Sequence, residues 1–577
     1  MKILRMLIVL SFILSMNNTF SEGRILKNEL PKSEREFFEN DFKKSREENL
    51  DEEKQVEDES SLPKFLIKEI SLKKDGGRIK PLVSHKKLDE ILGEYENREI
   101  NIADLRELVK RLDEEYTKKG YITTRVYLEP EQDISDGTVS LVVLEGKVED
   151  IVIDGDTPKD RRKAFFAFTN EKERILNISH IDNGVDNLNR VESNNSRINI
   201  VPGEKQGYSK VIIESEKEKP VRLNLEYEDT QKGKRRYGIG FEYDNLLGMN
   251  DILYLNYRGD AGKLFKDADR EDGYTKNMSA GYSFPVKSWT YSLNYSNSEE
   301  DTVVTGNTAD YHYRVKSDEY GINVTKLLFR NQDMKLNMTM GLGVKNERTY
   351  IDETRLKTQD REMTVASIGL NGVFKPYGGI ASYSLVYSKG IKGFGSKEDR
   401  PSSVGTDLTP VLYKNDNRYK FDKVNLNLSY YRPFYFGNQG LTLRTSVSGQ
   451  YTPDSLFSSE KYSIGSYDTV KGFPVTVSGD NGFNTKVELT YILPSSQGSF
   501  FNRVRPYVEY DFGKVRDSYD DEDNKGASIV TLSSYSAGVR YYGEILTLDI
   551  GIAKTDKGRG RAGAESCRGY ISVNASF

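Results

Sequence analysis

The chain has almost nothing with which to build a metal centre or a disulfide. Cys567 is its single cysteine among 577 residues, and His85, His180 and His312 are its three histidines. One cysteine excludes an intramolecular bridge, and four scattered ligands exclude an ordinary structural zinc site. They read as structural or surface residues. Basic charge is not in excess either: 84 Lys and Arg against 89 Asp and Glu leave a formal net charge of -5. Without a basic patch or stripe, nucleic acid is not an expected partner. Long apolar runs are also missing. No segment reaches the roughly 20 residues of a membrane-spanning helix. Met6 to Met16, after Lys2 and Arg5, reads instead as the core of a secretory signal over 1–21, cleaved near Ser21. An exported chain of this kind can enter a membrane only as a closed barrel.

Catalytic machinery is lacking in the same way. There is no Gly-x-Ser-x-Gly elbow and no histidine placed near a nucleophile. Gly259-Asp-Ala-Gly-Lys263 superficially suggests phosphate binding, but the Walker spacing needs glycine where Tyr257 stands. The acidic run Asp520 to Gly526 fails as a calcium loop, because Lys525 takes a ligand position and Leu532 the place of the required glutamate. It reads as a solvated outer loop. The expectation is a protein that is not an enzyme and uses no cofactor and no metal.

What is abundant is aromatic and glycine content: 37 Tyr, 25 Phe and 48 Gly in a chain of mean hydropathy -0.65. A polar chain so rich in aromatics suggests half-apolar strands, and its length implies at least two folded units. Residues 22–62 are mostly Glu, Lys, Asp and Asn. There Ser33-Glu34-Arg35-Glu36 matches a capping box, with Glu39 and Lys43 at helix-supporting spacing. A polar helix and linker is expected, with a solvated tail as the alternative.

From Phe65 the pattern becomes strand (to Leu72), a helix opened by Ser84, and a second helix from Asn101. The second helix repeats Ile102, Leu105, Val109, Leu112 and Tyr116 and stops at Gly120. Strands Tyr121 to Leu128 and Thr138 to Leu144 close this unit, 63–147. The order recurs over 148–219: strand Val148 to Gly155, helix Pro158 to Phe168, a helix carrying Ile181, Val185 and Leu188, then strands Ser196 to Val201 and Tyr208 to Glu214. This is a β-α-α-β-β duplication.

Beyond Pro220 helical periodicity gives way to alternation, as in Val221-Arg-Leu-Asn-Leu-Glu-Tyr227 and Leu253-Tyr-Leu-Asn-Tyr257. A soluble sandwich would also alternate. Segments of about 9 to 11 residues, aromatics near their ends and long polar loops alternating with short turns favour a membrane barrel. Long loops are expected at Asp260 to Asn277, Asn297 to His312, Ile391 to Phe421 and Lys514 to Ser528. Residues 220–577 accommodate about 16 antiparallel strands. The last, Tyr570 to Phe577, keeps strict alternation to Phe577.

Tyr121-Ile-Thr-Thr-Arg-Val-Tyr-Leu128, Ile134-Ser-Asp-Gly137, Glu145-Gly-Lys-Val148, Asp186-Asn-Leu-Asn-Arg190 and Val201-Pro-Gly-Glu204 carry a resemblance. They are similar to the paired polypeptide-transport-associated (POTRA) domains of the transporter partner in two-partner secretion. That haemolysin-activator-like family is a branch of the superfamily that also contains outer-membrane protein insertases. In the barrel, Ile464-Gly465, Thr469-Val470-Lys471-Gly472-Phe473 and Gly479-Asp-Asn-Gly482 resemble the family's in-folding loop, here 454–482. The family tip usually reads Val-Arg-Gly-aromatic, and Lys471 replaces the arginine. Asp511, in Arg505-Pro-Tyr-Val-Glu-Tyr-Asp-Phe-Gly513, resembles the inner-wall partner of that tip. A Lys471–Asp511 pair is therefore expected, less directional than an arginine fork.

The resemblance implies a bacterial outer-membrane pore with periplasmic POTRA domains. It implies export of a large adhesin- or haemolysin-type exoprotein captured unfolded through its N-terminal secretion domain, and with no motor motif in the chain and no ATP in the periplasm, export without ATP is expected. Outer-membrane lipid and the barrel-assembly machinery, addressed by Phe577, are further implied partners, and a monomer is expected. Strand addition to a POTRA sheet edge, or the groove beside the helices, offers a physical route to capture. The polar N-terminal helix is expected to plug the resting pore. The competing reading is an assembly factor for other barrels; two POTRA units and the polar helix favour secretion.

Overall fold

The computed structural model describes residues 63–577 except 75–81, 135, 154–156, 170, 232–233, 261–272, 307–308, 332, 400–402, 405–409, 412–415, 437–438, 474–475, 494–502, 518–528 and 559–566. The expected signal and polar helix lie outside the described residues.

The first unit runs β1 (Phe65–Ile67), β2 (Glu69–Lys74), α1 (His85–Gly93), β3 (Arg98–Ile100), α2 (Ile102–Lys118), β4 (Arg125–Leu128) and β5 (Thr138–Leu144). Asn101 caps α2 reciprocally: its Oδ1 accepts from the Ala103 and Asp104 amides, and Asp104 Oδ2 accepts from the Asn101 amide. The apolar stripe of α2 (Leu105, Leu108, Leu112, Tyr116) then closes over Ile70, Val139, Leu141 and Val143 of the sheet. The sheet order is β2-β5-β4, with β2 parallel to β5. The strand expected over Phe65 to Leu72 is two pieces, because β1 leaves the sheet to pair with β3, which sequence alternation alone did not reveal.

The second unit repeats the plan with β6 (Lys147–Ile153), α3 (Pro158–Ala167), α4 (Ile178–Asn189), β7 (Asn194–Pro202) and β8 (Tyr208–Lys217), in the order β6-β8-β7. Thr157 caps α3 with Pro158 in its first turn, and Asn177 caps α4. The two units meet at Gly120. Its φ of +90° ends the helical segment, and a Cβ there would lie 2.7 Å from Asn177 Oδ1. The Gly120 carbonyl accepts from the Ile178 amide, and Asn177 Nδ2 donates to the Lys119 carbonyl.

A closed antiparallel barrel of sixteen long strands follows. Its first seven are β9 (Val221–Gln231), β10 (Lys234–Asp244), β11 (Ile252–Asp260), β12 (Tyr274–Val286), β13 (Trp289–Thr305), β14 (Asp310–Arg330) and β15 (Met334–Ile351), with the short β16 (Thr354–Arg355) added to β15. After them come β17 (Arg361–Phe374), β18 (Ile380–Ile391), a small hairpin β19 (Ser403–Val404) and β20 (Pro410–Val411), β21 (Asp422–Phe436) and β22 (Gln439–Tyr451). The rest are a loop hairpin β23 (Tyr462–Ile464) and β24 (Val477–Gly479), then β25 (Asn481–Ile492), β26 (Val504–Arg516), β27 (Val530–Tyr542), β28 (Leu546–Lys557) and β29 (Arg568–Ser576). β29 pairs with β9 to close the ring, and the Phe577 backbone adds bonds to Leu223.

Alternation sets the two faces. On β26, Tyr507, Glu509 and Asp511 point inward and are buried, while Val508 is exposed outward. The segment Asn297 to His312, expected as a loop, is mostly strand: β13 continues to Thr305 and β14 begins at Asp310. β14 has 21 residues, about twice a membrane crossing, so this hairpin projects beyond the bilayer. Cross-strand ion pairs such as Lys316–Glu299 let charged sequence form ladder there.

The second unit is docked on the opposite rim. Arg190 donates to the Asn250 and Ser283 carbonyls, Asn187 Nδ2 to the Lys287 carbonyl, and Asn250 Nδ2 to the Lys163 carbonyl. Asp186 pairs with Lys335 at 2.8 Å and with Arg330.

Candidate functional site

The loop between β22 and β25 enters the barrel because its start and its tip are both made to stick to the inner wall. Near its start, the turn Ser458–Glu460 is clamped: Glu460 pairs with Lys423 at 2.5 Å and Lys345 at 3.6 Å, and the Phe457 ring lies under the Arg361 guanidinium. The β23–β24 hairpin then stiffens the loop. Its tip carries Val470 and Phe473, both fully buried against Ile464, Val515, Val530 and Leu532. Burying two apolar side chains inside a polar lumen is worth about 1.5 to 3 kcal/mol each, and this holds the tip to the β26–β27 wall.

Between them lies Lys471. Its ammonium is 2.9 Å from Glu509 Oε1, with both side chains almost completely buried. The rings of Tyr467, Tyr507 and Tyr570 surround it at 5.0, 5.1 and 5.5 Å from their centroids. Aromatic faces repay part of the lost hydration of a buried cation. The expected Lys471–Asp511 ion pair is thus corrected. The lysine stem reaches the carboxylate two residues earlier on the same inward face, and Asp511 takes another task. Asp511 Oδ2 accepts the Lys471 backbone amide at 3.0 Å and the Ser534 hydroxyl at 3.2 Å, while Ser534 Oγ accepts the Gly472 amide at 3.1 Å. The main chain of the tip is therefore held by Asp511 and Ser534, and its charge by Glu509.

Gly472 is required by closeness. A Cβ there would stand 2.8 Å from Ser534 Cβ and 3.1 Å from Thr555 Cγ2.

A polar network fixes the cage. Tyr467 and Tyr507 donate to Asp549 at 2.6 and 2.7 Å, and the Tyr507 and Tyr570 hydroxyls are 2.7 Å apart. Arg540 forks onto Glu488 at 2.8 and 2.6 Å and reaches Asp549 at 3.0 Å. Satisfied by one another, these buried charges bind the tip to strands β25 through β29. The arrangement is a set of reversible contacts on one loop tip. What it can do is hold or release a loop.

The structure brings Val470, Lys471, Gly472, Phe473 and Asp511 together. Phe577 is not among them and sits at the β29–β9 closure, its amide donating to the Leu223 carbonyl. Sequence reasoning missed Glu509, although alternation along Arg505 to Gly513 puts it on the same face as Asp511. It also missed Tyr570, whose place depends on the register of β26 through β29, where Tyr507, Gly538, Gly551 and Tyr570 lie in one row.

A closed barrel holding a wall-anchored inner loop, preceded by two β-α-α-β-β units of which the second is docked on one rim, defines the POTRA–barrel class of outer-membrane proteins. Family profiles agree along the chain: a ShlB-type POTRA domain over residues 65–146, a further POTRA domain over 147–202, and the haemolysin secretion/activation protein ShlB/FhaC/HecB over 207–541. The chain belongs to the ShlB/FhaC/HecB family of haemolysin secretion/activation proteins. The outer membrane transporter CdiB of Dickeya dadantii is 29% identical over 401 residues, 69% of this chain and 68% of that protein. The hemolysin transporter protein ShlB of Serratia marcescens is 25% identical over 457 residues, 78% and 76% of the two chains. The solved structure of CdiB from Escherichia coli superposes with a TM-score of 0.78 at 24% identity, covering 95% of this chain and 99% of that one. The protein is therefore a two-partner-secretion transporter of the outer membrane, not an enzyme, with its POTRA domains in the periplasm.

Proposed function

We propose that the protein exports one large exoprotein of adhesin or haemolysin type, captured unfolded at the POTRA domains and passed through the barrel once the inner loop leaves the wall. The observation that supports this most is the mode of anchorage of Lys471. Non-covalent contacts with Glu509, Asp511, Ser534 and three tyrosines hold the loop, an obstruction firm enough to close a pore and reversible enough to open it. No nucleotide-binding motif stands in the sequence, so folding of the exported chain outside supplies the direction of travel.

Capture has two physical supports. A groove of about 550 Å³ runs beside α2 and β4, lined by Val109, Asp113, Thr117 and Arg125. In the second domain, β7 is an edge strand. One end of it is already capped: Asn189 Oδ1 accepts from the Ser196 amide and Nδ2 donates to the Ser196 carbonyl, so an added strand would begin beyond that point.

The test is deletion of the gene in its host with analysis of the medium and of the outer membrane. Loss of a large β-repeat exoprotein, restored by complementation, is expected. An unchanged set of secreted proteins with general loss of outer-membrane barrels would overturn the reading in favour of an assembly factor.

A further inference from the structure

We propose that the second POTRA domain has a membrane-contacting foot, in which Phe165, Leu246 and Leu247 enter the periplasmic leaflet and Lys159, Arg162 and Lys287 meet phospholipid phosphates. This surface lies apart from the inner loop and goes beyond the export reading.

The foot begins with apolar residues left in the open. Phe165, on α3, is 65% exposed, and Leu246 and Leu247, in the β10–β11 turn, are each 50% exposed. Helix and turn are fixed to each other, since Arg162 donates to the Leu247 carbonyl at 3.0 Å and Asn250 Nδ2 to the Lys163 carbonyl at 2.9 Å. The β12–β13 turn completes the group: the Lys287 amide donates to the Phe166 carbonyl at 2.7 Å, and its ammonium stands 6.0 Å from the Phe165 ring centroid.

Position supplies the occupant. Two residues beyond Lys287 is Trp289, and on the same outward face Tyr282, Phe284 and Tyr291 follow one another with ring centroids 5.9 and 5.5 Å apart, the last pair stacked. That is an interfacial aromatic girdle on the lipid-facing side. Phe165 and the leucines therefore continue the lipid surface of the barrel at its periplasmic rim. Beside these apolar tips stand Arg162, Lys287 and Lys159, whose Cγ is 3.3 Å from where a Cβ on Gly248 of the same turn would lie; apolar tips next to basic side chains match the boundary between acyl chains and phosphates, where interfacial helices sit. Phospholipid, rather than a soluble protein, is the partner that this continuity and charge select.

The full chain in phosphatidylethanolamine–phosphatidylglycerol vesicles provides the test. Trp289 is the only tryptophan, so W289F with F165W carries one reporter at the foot. Acyl chains brominated near the headgroup should reduce its emission by about twofold or more at the shallow depth of an interfacial side chain. Because W289F removes a girdle residue, a second measurement keeps the native tryptophan: a spin label at F165C in a C567S background. Greater accessibility to oxygen than to a water-soluble nickel complex is expected. Unquenched emission, or a label open to nickel as in bulk water, would overturn the proposal and leave the foot to solvent or a protein partner.

Discussion

The ammonium of Lys471 pairs with Glu509 at 2.9 Å inside the barrel, two residues before Asp511 on the same strand face. The consequence is a division of labour between two carboxylates that sequence alone made look like one.

Glu509→Ala should loosen the loop more than Asp511→Ala. The first leaves a buried ammonium without its partner, a change of about 3 to 5 kcal/mol. The second removes an acceptor from one amide and one hydroxyl, about 1 to 3 kcal/mol. Hydrogen exchange across residues 462–479 reads the difference, and adding Lys471→Ala to Glu509→Ala should restore part of the protection. Asp511→Asn, which keeps an acceptor oxygen, should be milder than Asp511→Ala.

Gly472→Ala should lift the tip. The new methyl would overlap Ser534 and Thr555, and such overpacking costs about 1 to 3 kcal/mol. Planar-bilayer recordings should show more frequent opening with an unchanged level of folded barrel in the membrane. Equal loss of folded barrel would point to failed assembly instead.

Docking of the second POTRA domain should depend on pH in one direction. Burial by itself would raise the Asp186 carboxyl, but the charges of Lys335 and Arg330 outweigh it and hold it below its ordinary range. A depressed native value means stabilisation that is fully present above the ordinary aspartate pKa of roughly 4 and is lost as pH falls through the lowered value. Protection of Ile178–Asn189 should therefore stay flat from neutral pH to about pH 5. Asp186→Asn should reduce that protection at neutral pH and remove its loss in acid.

The fold was legible wherever one periodicity ruled a segment. The stripe of α2, the duplicated unit and the alternation of the barrel strands each follow from which face meets apolar surroundings. At the outer ends of β13 and β14 the sequence points to loop, but charge there marks paired ladder. The site was legible to the extent that it is local: Val470, Lys471, Gly472, Phe473 and Asp511 lie in short recognisable stretches. Glu509 is within reach of the same alternation, which sets it on the inward face with Asp511. Tyr570 and Asp549 could not be found that way, since their places follow from the register of β26 through β29, which sets Tyr507, Gly538, Gly551 and Tyr570 in one row and Asp549 opposite Arg540.

A reversible tether tests the central claim, that the loop must leave the wall for a chain to pass. A Cβ at Gly513 would lie 3.2 Å from Ile464 Cβ, close to the roughly 3.5 to 4.5 Å of a disulfide, so I464C with G513C in a C567S background can pin the loop base. Secretion should stop in the oxidised protein and resume when the bond is reduced. Full secretion through a barrel shown to be completely cross-linked would contradict the account.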